Sequence, residues 1–569
     1  MGKSRSWIIW LLALAMFAFA CDSGESASST STSTSTTVQA TTTSTAPITT
    51  TTESDPCGDG PFCVVYEIAA EAVWSDQTPV TSEDFVHTLD AMTDPVSGAL
   101  EQTGYRLVTD IEILDDKRFV VSFSRVFPSW RTLFDFVLPA HSDVGYLTEG
   151  APVSGPFMLQ EWIEGERIVL TRNPLYWPSA DPISADPLGD VQQLVFVFPD
   201  NVREQLRQLE NGDVDVVNPR PIDWMIDELI TMEQVSFDVV PGSFWEHIDF
   251  NHDDPLLGQP WVREAISLAI DRSAILDETV RGVDEDAPTL DSAVYLTNSA
   301  HYEANYDHTY APEVAEALLK EHFCERDDDG VYNCQGRRMS FQWATTVGDE
   351  YRETIYELAS EDLGEVGIEL ILQPFTPSEL FSSNVFFGGP GVWQMINFSW
   401  KGEPDPFLAN TTFYCSGDAP SGFGTLNVNR YCDQTVEALV RSTDSLVEKE
   451  ERAAAYNEAD ALYLADRAII PLFQKPALLA YDSTLSGPRP NISGSTDLWN
   501  VSAWRGADTV VIALESEPDE LNPVRPESDS ARIILTAMLH GGFGVSPELE
   551  FEPVLLTGAE SSGATESVP

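Results

Sequence analysis

The chain has 569 residues, 43% of them hydrophobic, enough to build two or three domains with cores of their own. Its 92 acidic and 31 basic residues give a formal charge of −61, spread along the sequence without an acidic tail. Such a field repels a phosphate backbone, so nucleic acid is not an expected partner.

Lys3 and Arg5 precede the apolar run WIIWLLALAMFAFA, too short for a comfortable bilayer span and patterned as a signal peptide over residues 1–20. The run ends in AFAC, which resembles the bacterial lipobox, with Ala18 where Leu is commoner. The resemblance implies cleavage before Cys21 and a diacylglyceryl thioether on its sulfur. The alternative is an ordinary signal peptide followed by an incidental cysteine. Residues 21–56 then hold the anchor and a Ser/Thr-rich tract whose apolar surface cannot offset its ordering entropy, so an extended leash is expected. No later segment is apolar for long enough to span a bilayer. The expected location is therefore extracytoplasmic, tethered to the cell membrane.

With Cys21 set aside, six cysteines fall into three sequence-local pairs: Cys57 and Cys63, Cys324 and Cys334, Cys415 and Cys432. This pattern suits loop-closing disulfides in an oxidising compartment. The rival is a metal site, but there is no CxxC and the pairs lie far apart. Neither metal nor cofactor is expected.

Helical and strand patterns alternate, which defines a mixed α/β protein. NVREQLRQLENGDVDVV is an amphipathic helix, an Asn-Gly stop at 211–212 and a short strand. WVREAISLAIDRSAILDETVRG carries the stripe Val262, Ala265, Ile266, Ala269, Ile270, with Pro260 before it and Gly282 as its stop. YRETIYELASEDLGEVGIELILQPF runs from helix through Gly364 and Gly367 into a strand. KEERAAAYNEADALYLADRAIIPLFQ is a helix followed by a strand-like run from Ala468 to Phe473. Near the end, ADTVVIALESEPDELNP places an apolar run, Val510 to Leu514, before an acidic Pro-punctuated loop, and the helix-like DSARIILTAMLHGGF follows. This arrangement has the character of a domain's beginning, although nothing near the start duplicates it.

No nucleophile elbow, HExxH or phosphate-binding glycine loop occurs. HGGFG at 540–544 is expected to be a turn after a helix. His247 and His252, five apart in a strand, would face opposite sides, a poor arrangement for a shared metal. Tryptophans punctuate loops: Trp74, Trp177, Trp245, Trp393, Trp400, Trp499 and Trp504. Most are expected in the core, while Trp400, in NFSWKGEPDPF, could wall a binding cleft.

Four blocks in order carry a resemblance. VWSDQTPVTSEDFVHTL has Gln77 where glycine is usual. SGPFMLQEW with LTRNPLYW supplies Gly155, Pro156, Asn173, Pro174, Tyr176 and Trp177. LENGDVDVV follows, and then IDFNHDDPLLGQPWVREAISLAIDRSAIL, centred on Asn251, Arg263, Ala269, Asp271 and Arg272. In these the chain resembles the extracytoplasmic solute-binding proteins of ABC importers, of the dipeptide/oligopeptide type (family 5), from about residue 62 to 556. The resemblance implies a two-lobe periplasmic-binding-protein-like fold of the class II, cluster C type, with a hinge and an extra small subdomain. It implies a non-enzymatic, monomeric lipoprotein that captures oligopeptides or a similar small solute between the lobes and delivers it to a membrane permease. A sensing lipoprotein without transport, or a binder of a metal chelate, sugar or opine, remains the alternative. Residue by residue, Trp400 matches the family's aromatic, and Glu403 stands where an acid pairs with the ligand's α-amine; Asp405 is a second candidate for that acid.

In this family, DTVVIALESEPDELNP and ARIILTAMLHGGF resemble the usual beginning, and FEPVLL the block after it. The expected order is therefore a circular permutation; the alternative is a truncated second copy from residue 508. The expected map is a small subdomain of lobe one over 57–150, the lobe-one core over 151–247 and lobe two over 248–485. Residues 486–556 complete lobe one, with 508–556 as the displaced beginning, and 557–569 form a disordered tail.

Overall fold

The computed structural model describes residues 60–99, 102, 104–142, 147–417, 419, 421–491, 493 and 498–562. Cys21, Cys57, the signal-peptide and Ser/Thr-rich segments and residues 563–569 lie outside them.

Two long antiparallel strands, Val235–Phe250 and Ile469–Asp482, run side by side through the middle of a ten-stranded sheet. Their ladder slips at Pro471/Phe473 and Gln474/Pro476, where Pro241 faces Pro476. Proline has no N–H to give, so the pairing loosens there. Gly242 fits the same bend, because a Cβ on it would lie 2.7 Å from the Lys475 carbonyl oxygen. Beyond the bend on one side lie Met395–Lys401, Ser340–Thr346 and Glu369–Phe375. On the other lie Val216–Val217, Thr509–Ala513, Gln193–Val197, Arg167–Arg172 and Phe157–Ile163. The two long strands thus join two α/β lobes, and the bend between them is the hinge.

Each lobe buries its own core. Lobe two packs Val262, Ile266, Ile355, Leu363, Tyr456 and Leu464 around Ile469 and Ile470. Lobe one packs Phe62, Tyr66, Trp74, Phe85 and Phe119 with Val510, Ile512, Ile534 and Met538. Its other face carries Leu206, Leu209, Met225 and Leu229 against Leu478 and Ala513.

The patterned segments form elements close to those expected. The helix Val202–Asn211 stops at Gly212, whose φ of 74° suits glycine. The helix Glu350–Glu365 passes through Gly364, and Gly367 (φ 81°) makes the turn into Glu369–Phe375. The stripe at 260–281 is two helices, Pro260–Ala269 and Arg272–Thr279, not one. Asp271 breaks it by capping the second, accepting from the Ser273 and Ala274 N–H groups, while its own N–H donates to Asp362. The strand foreseen over 468–473 extends to Asp482, because it crosses into the other lobe.

The segment near the chain's end is central. Thr509–Ala513 lies between Gln193–Val197 and Val216–Val217, parallel to both. The helix Asp529–Met538 packs its C-terminus on Gly155, whose N–H donates to the Met538 oxygen at 2.8 Å. A Cβ on Gly155 would stand 2.6 Å from the Met538 carbonyl carbon, so only glycine allows this approach. The tail expected from residue 557 is instead a strand, Leu556–Ser562, paired antiparallel with Phe62–Ile68. Without it, that strand would be an open edge of the four-stranded sheet it shares with Arg118–Phe123 and Val108–Asp115.

Cys324–Cys334 and Cys415–Cys432 are disulfides, and Cys63 is disulfide-bonded as well. Among the described residues, no helix is long and apolar enough to cross a membrane.

Candidate ligand-binding site

The residues of the four sequence blocks act as internal staples. Trp74 Nε1 and the Thr81 N–H both donate to Asp84, whose other oxygen accepts from the Ala140 N–H. Asn173 Nδ2 donates to the Gly155 oxygen, and Arg263, 2% exposed, donates to the Leu257, Asp466 and Arg467 carbonyls. Trp74, Trp393 and Trp504 are fully buried.

The segment Trp400 to Pro406 does something else: it stands where three cavities meet. Trp400 and Lys401 end a strand paired with Trp245 and Phe244, and the Gly402 N–H donates to Ser243 at the hinge. Trp400 and Glu403 line a cavity of about 330 Å3 in lobe two, shared with Trp245, Asp249, Asn429 and Tyr463. Lys401 also lines a cavity of about 400 Å3 between the lobes, with Arg220, Lys475, Glu515, Asp529 and Arg532. Pro404 and Asp405 line a third, of about 430 Å3, that Trp130 and Arg131 close from lobe one.

Two of the three candidates therefore share a cavity and the third faces elsewhere. Asp405 is also committed: it is buried, its Oδ1 accepts from the Phe407 N–H at 3.0 Å, and its Oδ2 from Arg452 at 3.2 Å. It caps the 3-10 helix Pro406–Phe413. Glu403 lies near enough to Arg532 of lobe one to help raise that guanidinium's pKa, after the larger effect of Asp135.

Sequence reasoning missed the cleft's cations. The lining between the lobes holds Arg220, Lys401, Lys475 and Arg532 against two acids, although the chain has about three acids per base. Beneath them lies a buried cluster. Glu246, fully buried, is bonded by Lys475 at 2.5 Å, Arg352 at 3.1 Å and the Ser399 hydroxyl at 2.6 Å. Burial alone would raise its carboxyl, but Lys475 and Arg352 outweigh it and bring it down to about 2. Asp349 joins the cluster, 3.5 Å from Lys475 and 3.8 Å from Arg220 of lobe one. The lobes also meet through Arg125 and Asp444 (2.6 Å) and the Phe127–Phe407 ring contact. No His, Cys, Asp or Glu group among the described residues is placed to hold a metal ion.

Two lobes on a crossed-strand hinge, with cavities where they meet, define a binding protein that encloses a solute. The chain belongs to the bacterial extracellular solute-binding proteins, family 5: the model of that family's middle region matches residues 64–419. It is 27% identical over 445 residues to the oligopeptide-binding protein OppA of Mycobacterium tuberculosis, covering 75% of this chain and 71% of that one. Its fold is similar to the oligopeptide-binding protein AppA of Bacillus subtilis in complex with a nonapeptide (TM-score 0.58, 20% identity, 79% of this chain and 88% of that one). It is likewise similar to NikZ of Campylobacter jejuni in complex with Ni(L-His) (TM-score 0.62, 18% identity, 78% and 88%). The class is a non-enzymatic, extracytoplasmic binder of solutes.

Proposed function

We propose that this protein is the substrate-binding lipoprotein of an ABC importer, monomeric and anchored through Cys21, that closes on oligopeptides and presents them to a membrane permease. The observation that carries the reading is the position of Trp400 to Glu403. This stretch joins an aromatic, acid-bearing cavity to a cleft rich in cations, and Lys401 lines both. A peptide is zwitterionic, so an acid for its amine and cations for its carboxylate are the complement it needs. Glu403, with Trp400 beside it, is the amine's partner, and Asp405 is left to its capping role. The peptide-binding relative supports this ligand class over a chelate. Native mass spectrometry of the protein as purified from its own host tests it: a ladder of peptide masses is expected, and a single non-peptide mass would overturn it. In calorimetry with tetra-alanine, Glu403→Gln should weaken binding about tenfold, while N-acetylation of the peptide should cost the wild type as much and the variant little.

We also propose that the chain is a circular permutation of the family's order. The strand at 509–513 and the helix at 529–538 are built into lobe one from the far end of the sequence, as a displaced beginning would be. Lobe one then comprises 57–247 and 486–556, extended by the strand that ends at Ser562, with 248–485 as lobe two.

A further inference from the structure

Within the site just proposed, the strand Val235–Phe250 carries three side chains on one face at alternate positions: Trp245, His247 and Asp249. Two of them line the cavity of about 330 Å3, with Trp400, Phe413, Asn429 and Tyr463. Asp249 is 2% exposed and has few polar partners. Oδ1 accepts one hydrogen bond, from Asn429 Nδ2 at 3.2 Å. Oδ2 lies at ion-pair distance from His247 Nε2, 3.3 Å, although among the described residues neither ring nitrogen of this fully buried histidine has a hydrogen-bond partner. A carboxylate can accept about four hydrogen bonds, and a buried one is costly without a cation or several donors. Among the described residues, the one Lys or Arg in the lining is Lys401, which is exposed and also lines the cavity next door.

The rings complete the pattern. The His247 ring lies parallel to Trp400 at 6.2 Å and 4.7 Å from Trp245. Aromatic faces around a buried carboxylate are the surroundings in which a cation loses its water at least cost, because the ring quadrupoles and the anion replace the hydration shell together. Glu403, partly exposed, adds a second carboxylate to the same lining.

We infer that this cavity is a pocket for a cationic group, an ammonium or guanidinium side chain of the ligand, with Asp249 as its buried counter-ion. The inference rests on the peptide-binding reading and narrows it: among peptides, those with lysine or arginine next to the bound amine are preferred.

The test uses a probe that needs no peptide. Butylguanidinium and its uncharged analogue butylurea are titrated calorimetrically into the wild-type protein and Asp249→Asn. The wild type is expected to bind butylguanidinium saturably and at least tenfold more tightly than butylurea, and the variant to lose that preference. Equal binding of the two compounds by the wild type, no saturable binding of either, or a variant that keeps the preference overturns the inference. The wild-type comparison stands even if the variant does not fold. Tetra-alanine, titrated in parallel, reports on the broader reading. If it binds while butylguanidinium does not, the pocket assignment fails and peptide capture survives. If only butylguanidinium binds, the pocket stands and peptide capture fails.

Discussion

Replacing Glu246 with glutamine is the sharpest test of the hinge. The side chain keeps its shape but loses the charge that Lys475 and Arg352 surround at 2.5 and 3.1 Å. The carboxyl is held at about 2 against an ordinary 4.5, which corresponds to roughly 3 kcal/mol of stability. Removing one member of a buried ion pair costs a similar amount, about 3–5 kcal/mol. Asp349, 3.5 Å from Lys475, takes up part of the loss, so a deficit of about 2–4 kcal/mol is expected. The sign of the pH dependence follows from the lowered pKa. The contribution is fully present above about 4.5 and lost as pH falls through about 2. Urea melts of both proteins between pH 2.5 and 7 should therefore show a gap that is widest near neutrality and narrows towards acid; many other carboxylates titrate in this range, but in both proteins alike. A gap below about 1 kcal/mol at pH 7, or one that does not change with pH, would refute the argument that this charge organises the hinge.

Two further outcomes follow. Deleting residues 508–569 removes the strand between Gln193–Val197 and Val216–Val217 together with the buried side chains Val510, Ile512, Leu514, Ile534, Leu535 and Met538. Their gross burial, about 9–18 kcal/mol, rivals the stability of a whole domain. The truncated protein should show no cooperative calorimetric melt of lobe one and no ligand binding; a cooperative melt with binding retained would favour the second-copy alternative. Gln77→Gly should stabilise by about 0.5–1 kcal/mol in urea melts, because Gln77 has φ 78° in the tight turn between Trp74 and Thr78 and glycine adopts that conformation without its side-chain strain.

The sequence carried the fold class, because its information is local and repeated. The Gly212 and Gly367 turns, the helix over 350–365 and the apolar run at 510–514 are each set by periodicity and punctuation within a few residues. The family blocks were legible for the same reason: Asp84, Gly155, Asn173 and Arg263 hold bends and close approaches that few other residues could. The break at Asp271 was less visible, since the apolar stripe continues past it and the cap is completed by Asp362, far along the chain.

The candidate site was legible only in part. Trp400 and Glu403 stood out as an aromatic and an acid in one loop, but Asp405, two residues further on, is turned to cap a helix and pair with Arg452. A spacing of two cannot reveal that difference when the deciding partner lies 47 residues away. Asp249 offered one signal, its alternation with Trp245 and His247 along a strand. Its surroundings depend on Asn429 and on the rings of a different strand. The cationic cleft was hidden altogether, because Arg220, Lys475 and Arg532 are scattered in a chain dominated by acids.

The sequence by itself thus determined the elements, their staples and the apolar run of the end segment, since these follow from short-range pattern. Only the tertiary structure decided where that segment sits and which charges meet. A central strand is defined by neighbours drawn from 193–197 and 216–217, and a buried charge by groups that the fold brings within a few ångströms. Neither relation exists until the chain has folded.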